Sequence, residues 1–381
     1  MTTHTQHNSV PKTSVWLAFG FYLLIGFEFF YMISPFAVYF YSVYQPGLEF
    51  INNHPSISWL GATFLPHIVS ETSSPLLNNI TPVGFILTFG GGALFIFGAI
   101  QVYWNKLRKK SVVVSGLYIF VRHPQYTALI IAGLGMLILW PRYIVLLSYV
   151  SMLFVYYHLA RHEERECFLK YGSSYQSYME KTPMFIPFAQ KLPRLPQLLS
   201  GNNLARRSLY VIIYFSILIL SVQTANLLRS WALDQLYARF DQNSATISVT
   251  SLSSDNIAEI LAIAMDDDTV REHIRETEST DRLINYIVPL DWSASEIPMQ
   301  QIEGFDHFGY LPPEEANEHK IVFTRSIPDT EKKLTGKEII EHSKDRLPLL
   351  EIIVNRKSKL VSEILPPLQP DHLESVPLPI F

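Results

Sequence analysis

The sequence predicts a multi-span α-helical membrane domain of about five transmembrane helices, followed by a small α+β soluble domain. Three observations predict it. Only 17% of the 381 residues are charged and 48% are hydrophobic, whereas soluble domains carry about 25% charged residues. The apolar runs long enough to span a bilayer all lie before residue 230. The charge divides at the same place: residues 1–230 hold 16 Lys+Arg and 7 Asp+Glu, net +9, and residues 231–381 hold 14 and 27, net −13, which sum to −4. A basic, apolar part joined to an acidic, polar part reads as a membrane domain, 1–229, and an extramembrane domain, 230–381.

A spanning helix needs about 20 apolar residues. Val15–Tyr44 is the first such run, with Glu28 its only charge, and Pro82–Trp104 is the second. Tyr126–Leu139 and Tyr143–Leu159 follow, parted by Pro141-Arg142, and read as a tight helical hairpin. Leu209–Leu228 is the fifth. The first run is about twice as long as a signal-peptide core and has no small-residue cleavage site after it, so it reads as a retained span.

Orientation follows the Lys/Arg bias. Lys12 precedes the first span, residues 45–81 contain no Lys or Arg, and Lys106–Lys110 and Arg161–Arg207 are basic stretches. With the basic segments on the cytoplasmic side, residues 45–81 and Arg142 lie outside. The acidic domain then follows an odd number of spans to the non-cytoplasmic side.

Composition narrows the chemistry. A single cysteine, Cys167, excludes an internal disulfide framework and a Cys-based zinc or iron–sulfur site. Near-neutral net charge argues against a nucleic-acid binder. His158 and His162 stand four apart, as helical metal ligands do, but the other histidines do not supply the further clusters a histidine-box oxygenase needs, so no metal is expected.

The informative stretch lies around the hairpin. Ser115-Gly116-Leu117-Tyr118 and Arg122-His123-Pro124-Gln125-Tyr126 lead in; His162-Glu163-Glu164-Arg165-Glu166, Tyr171-Gly172, Tyr175, Tyr178 and Pro183 lead out. The residue before proline is pushed out of the helical region and proline suits the first helical turn. His123 and Tyr126 therefore share one helix start. Two antiparallel helices of similar length bring their outer ends together, so Arg122, His123 and Tyr126 are expected to face Glu163 and Glu164 at the membrane surface. Charges at that boundary are costly to desolvate, hence paired or functional.

This ordered set, over residues 82–188, resembles the integral-membrane isoprenylcysteine carboxyl methyltransferase and phospholipid methyltransferase families. The resemblance implies an S-adenosyl-L-methionine-dependent methyltransferase acting on a lipophilic acceptor that arrives from the bilayer, with its pocket on the cytoplasmic face. The acceptor is an isoprenylcysteine-like carboxylate, a phospholipid amine or a small hydrophobic molecule. Carried over by motif, Lys110–Val113, with Val112 and Val113, would hold the adenosyl part through backbone groups. Tyr118, His123, Pro124, Gln125 and Tyr126 would line the cofactor pocket, and Glu163 or Glu164 would hold its ammonium or ribose. Arg122, His123 and Arg161 are the catalytic candidates, with Arg161 or Arg165 facing a substrate carboxylate. The Arg-to-Glu spacing departs from the prenylcysteine enzymes and leaves the acceptor open.

The physics suits that implication. A sulfonium and an ammonium match carboxylates, a carboxylate matches Arg122 and His123, and tyrosine faces suit adenine and sulfonium. Methyl transfer needs alignment and exclusion of water rather than a nucleophilic triad. Two other readings remain: a sterol-reductase-like membrane oxidoreductase using NADPH, and a non-catalytic anchor for a sensor or assembly domain. Gly90-Gly91-Gly92 and Gly98 in the second span suggest close helix packing, or room for cofactor or substrate. Glu28 is an intramembrane carboxylate with no motif around it.

The acidic part shows strand-like runs at Ala245–Thr250, Leu283–Val288, Lys320–Arg325 and Leu350–Val354. Helix signals lie at Asp255–Met265 and Thr335–His342, with Thr335 as cap. Asp266-Asp267-Asp268 reads as a solvated turn, and the proline-rich end from Leu365 to Pro379 as extended chain.

Overall fold

The computed structural model describes residues 49–108, 113–187, 189, 203–275, 281–294, 296–299, 317–366 and 378–381. The expected first span, with Glu28 and Lys12, lies outside the described residues.

After a single turn at Pro75–Asn78, helix α1 runs Ile80–Leu107, α2 Pro124–Leu139, α3 Tyr143–Tyr171, α4 Ser173–Lys181 and α5 Asn203–Asp234. Among the described residues three helical stretches are long and apolar enough to cross a membrane: Pro75–Val102, Tyr143–Tyr171 and Ser208–Asp234. α2 is apolar but has only 16 residues, about 24 Å at 1.5 Å per residue, short of the ~30 Å hydrocarbon core. It is held in the bundle by its neighbours. A Cβ on Gly91 of α1 would lie 2.6 Å from the Ala132 nitrogen and 2.7 Å from the Ala128 oxygen of α2, so only glycine allows these backbones to approach so closely. Gly90 has open space instead. The helix-packing reading of the glycine run therefore holds at Gly91.

The 29 residues of α3 reach about 43 Å, more than the hydrocarbon core needs. Its charges cluster in the last turns, Arg161–Lys170. Gly172 ends it at φ 57°, ψ −131°, backbone that a side chain disfavours, and α4 starts at once.

The C-terminal part is a six-stranded sheet: β1 Ala238–Phe240, β2 Ser244–Ser248, β3 Leu283–Pro289, β4 Glu318–Pro328, β5 Ser343–Asn355 and β6 Leu360–Leu365. Its strand order follows the chain. All neighbours are antiparallel except β2 and β3, which need a crossover. Helices α6 Ser254–Asp266 and α7 Asp268–Arg275 supply it. The four anticipated strands all form, as does the anticipated helix over α6, which Ser253 caps by accepting from the Asn256 amide. Asp267, within the acidic triplet, accepts from the Thr269 and Val270 amides and so caps α7. The helix signal at Thr335–His342 shrinks to α8, Glu338–Glu341. There the Glu338 carboxylate accepts from the Thr335 amide at 3.4 Å; the N-cap position is Lys337, without a side-chain cap, and not Thr335.

Strand alternation gives the sheet two apolar faces. Ile287, Ile321, Phe323, Ile352 and Val354 pack under α6 and α7. Ile284, Tyr286, Val288 and Val322 pack instead in one core with Phe64, Leu65, Ile68, Leu137, Tyr143, Ala225, Leu233 and Phe381. That second core joins the sheet to one end of the helical bundle. Main-chain bonds accompany it: Ser70 and Glu71 amides donate to the Val249 oxygen, and the His67 amide to the Phe381 oxygen. Thr63 bridges Arg142 and Thr72 bridges Leu236. Residues 367–377 of the proline-rich stretch lie outside the described residues, and at 378–381 Ile380 and Phe381 are buried. The Tyr286 hydroxyl donates to the Ile380 oxygen at 2.7 Å.

The hairpin connection Pro141-Arg142, residues 62–72 and the sheet therefore share one end of the bundle. The first turn of α2 and the charged end of α3 lie at the other.

Candidate functional site

Arg122 and Glu164 stand 42 positions apart in sequence, joined by a helix, a turn and a helix, and this hairpin brings the two polar clusters together. The Arg122 Nε donates to Glu164 Oε1 at 2.6 Å. His123 places Nδ1 3.4 Å from Glu163 Oε2 and Nε2 3.5 Å from Glu164 Oε1. The Tyr126 hydroxyl donates to Glu163 Oε1 at 2.6 Å. The expected meeting of Arg122, His123 and Tyr126 with both acids is what the structure contains.

The two carboxylates differ in environment. Glu164 is buried, 3% exposed, and Arg122 answers its charge, as a buried carboxylate requires. The Glu163 side chain is 48% exposed and open toward solvent. His123 is buried and its Nε2 has no well-directed hydrogen bond. Burial opposes its protonation, but the interactions with Glu163 and Glu164 outweigh that and hold its pKa above the ordinary histidine value. One imidazole thus sits between two acids.

Aromatic rings line the same place. His123 stacks on Tyr126 with centroids 5.7 Å apart, and Tyr126 on Tyr156 at 5.0 Å. Tyr156 was not anticipated, although it precedes Glu163 by seven residues. Two helical turns put it on the same face of α3, and that phase was the available signal. Burial, then the charge of Glu163, raises the Tyr118 pKa, and burial pushes Tyr178 up to about 12. Both phenols therefore remain protonated donors at neutral pH.

A third segment closes the site. The Arg122 and His123 amides donate to the Pro183 and Met184 oxygens at 2.8 and 3.2 Å. The Thr127 hydroxyl donates to the Phe185 oxygen at 3.0 Å, and Arg122 Nη1 donates to the oxygens of Met179 and Thr182. The Tyr178 hydroxyl donates to the Tyr118 oxygen at 2.6 Å. These backbone acceptors carry no side-chain signature and were not readable in advance.

The remaining candidates divide. Pro124 is buried at the first turn of α2, and Gln125 and Val113 are half-buried. Val112, like Lys110 and Ser111, lies outside the described residues. The Arg161 side chain is 61% exposed with Nη1 3.5 Å from Glu164 Oε2; Arg165 is exposed and Cys167 half-buried. His158 is exposed and meets the Tyr210 ring of α5 edge-on at 5.9 Å. Among the described residues no group of three His, Cys, Asp or Glu is arranged to hold a metal ion.

Comparison with known proteins bears on this same stretch. Residues 96–169 match the Isoprenylcysteine carboxyl methyltransferase (ICMT) family. The match runs from the second half of α1 through α2 to the charged end of α3, and so includes Arg122, His123, Tyr126, Glu163 and Glu164. It supports a membrane methyltransferase, and the apolar helices agree with a membrane protein. No curated protein and no solved structure matches the chain. The sheet lies outside the ICMT match.

Proposed function

We propose that the protein is an integral-membrane methyltransferase that uses S-adenosyl-L-methionine and acts on a lipophilic acceptor. One observation carries the reading: Arg122, His123 and Tyr126 meet Glu163 and Glu164 at one end of the hairpin, inside the stretch that matches the ICMT family.

The donor set fits this cofactor. S-adenosyl-L-methionine supplies an electrophilic methyl group on a sulfonium, together with an ammonium and a carboxylate. Glu163 is a carboxylate whose accessible side matches a cation. The buried His123 ring has Nε2 3.5 Å from Glu164 Oε1, and its protonated form would add positive charge where the cofactor's carboxylate is held. Tyr118 supplies a ring suited to stacking and cation–π attraction, and Tyr126, already stacked with His123 and Tyr156, extends that aromatic lining. By motif, Pro124 and Gln125 would line the pocket, and Val112 and Val113 would hold the adenosyl part through backbone groups. Arg161, mostly exposed beside Glu164, would meet an anionic acceptor. The chain's own work is to bind, orient and exclude water, which accounts for most of a displacement of this kind.

The site end is assigned to the cytoplasmic face on its Lys/Arg excess. The sheet, at the opposite end of the bundle, is then non-cytoplasmic. The acceptor is drawn from isoprenylcysteine-like carboxylates, phospholipid amines and small hydrophobic molecules.

Equilibrium binding of radiolabelled S-adenosyl-L-methionine to the purified protein tests the reading. Wild type should bind, NADPH should not compete, and Glu163→Gln should weaken binding about tenfold or more, since a charge-assisted hydrogen bond contributes about 1.5–3 kcal/mol. No binding by wild type overturns the cofactor assignment. Unchanged binding by Glu163→Gln overturns the role of Glu163.

A further inference from the structure

Six hydrogen bonds tie residues 118–127 to residues 178–185. The Tyr178 hydroxyl holds the Tyr118 oxygen at 2.6 Å, and Arg122 Nη1 holds the Met179 and Thr182 oxygens. The amides of Arg122 and His123 and the hydroxyl of Thr127 hold the oxygens of Pro183, Met184 and Phe185. Gly172 makes the reversal possible by taking φ 57°. It sends α4 back toward Tyr118 and Arg122, ahead of α2. Arg122 stands at the crossing point, because its Nε is bound to Glu164 of α3 at the same time.

This guanidinium is engaged on two sides by the protein itself: a carboxylate on one, main-chain oxygens on the other. Such fixed, multi-directional bonding is what arginine does and lysine cannot reproduce. We propose that Arg122 and Tyr178 are positioning residues. They fix the Tyr118–Tyr126 segment, and with it His123, relative to Glu163, and neither touches the acceptor. The proposal rests on the methyltransferase reading for its consequence in binding, but its geometry stands without it. Arg122 acts through Glu164 and α4; Tyr178 acts through the main chain of Tyr118. A phenol is protonated across the neutral range, so the Tyr178 hydrogen bond to the Tyr118 main-chain oxygen persists there.

The test compares Tyr178→Phe, Arg122→Lys and wild type in the full-length protein by two readouts. The first is hydrogen exchange at the Arg122 and His123 amides, measured without cofactor. One neutral hydrogen bond contributes about 1 kcal/mol, so Tyr178→Phe should speed exchange there about fivefold and leave the sheet amides of β3 and β4 unchanged. The second is the split between cofactor affinity and acceptor KM. Both variants should weaken binding of radiolabelled S-adenosyl-L-methionine about fivefold or more, with acceptor KM unchanged at saturating cofactor. Unaltered exchange and unaltered cofactor affinity in Tyr178→Phe overturn the proposal. So does an Arg122→Lys protein with wild-type cofactor affinity and a raised acceptor KM, the pattern of a substrate-contacting charge. If wild type binds no cofactor, the methyltransferase reading fails, and the exchange result alone decides whether these residues set the frame.

Discussion

Replacing Glu164 with glutamine removes one charge while keeping the shape of the side chain. In the wild type, Glu164 is 3% exposed and accepts from Arg122 at 2.6 Å. Without the carboxylate's charge, the Arg122 guanidinium keeps neutral acceptors only: the glutamine amide oxygen and the Met179 and Thr182 oxygens. Breaking a buried pair from one side costs about 3–5 kcal/mol, because the surviving charge is uncompensated. Those neutral acceptors offset part of that, so the expected loss is about 3 kcal/mol. At about 2–4 °C per kcal/mol for a unit of 150–250 residues, the apparent Tm in detergent should fall by about 6–12 °C. The matched control is Glu163→Gln, whose side chain is half exposed and whose loss should cost about 1 kcal/mol or less. Combining Arg122→Gln with Glu164→Gln should cost clearly less than the two single changes added together, since the pair is coupled. A Tm for Glu164→Gln as close to wild type as that of Glu163→Gln, or strict additivity in the double variant, refutes the assignment of Glu164 as a buried, paired charge.

Other expectations follow from the same geometry. Gly91→Ala sets a Cβ against the main chain of α2 at 2.6 Å and should destabilise by about 1–3 kcal/mol as overpacking. Gly90→Ala meets open space and should not, and equal Tm values for the two variants contradict the packing. For His123 the folded-state pKa is raised, so the stability it contributes is present below the ordinary value of about 6.5 and lost as pH climbs through the higher folded value. The Tm difference between wild type and His123→Gln should be largest on the acid side and shrink toward alkaline pH; a difference that grows with pH is the opposite sign. Reporter fusions ended after Leu228 should signal the non-cytoplasmic side and fusions ended at Lys181 the cytoplasmic side; both on one side would break the assigned topology.

The legible parts of this fold were those where local chemistry and tertiary role coincide. The hairpin could be read because proline after His123 starts α2 and Pro141-Arg142 separates two apolar runs. With both helix starts located, the meeting of His123 and Glu163 followed from length alone. The strands at Leu283 and Lys320 could be read because both their faces are apolar-rich, one under α6 and α7 and one on the bundle. β1, only three residues long, and the exposed edge strand β6 carry too little pattern to stand out. α4 escaped because SSYQSYMEK is polar and short; it is stabilised by what Arg122 and Tyr178 do to it, and such contacts leave no periodicity. The burial of Ile380 and Phe381 escaped because two apolar residues after a proline-rich run carry no periodicity that says what they pack against.

The central claim is that the hairpin's two polar clusters form one binding place for S-adenosyl-L-methionine. Ultraviolet cross-linking of the methyl-labelled compound to the intact protein, followed by mapping of the labelled peptide, tests it most directly. The account predicts label in the peptides that contain Tyr118–Tyr126 or Glu163, and protection of both by excess unlabelled compound. Label confined to the sheet, in peptides from β3 to β6, would contradict it.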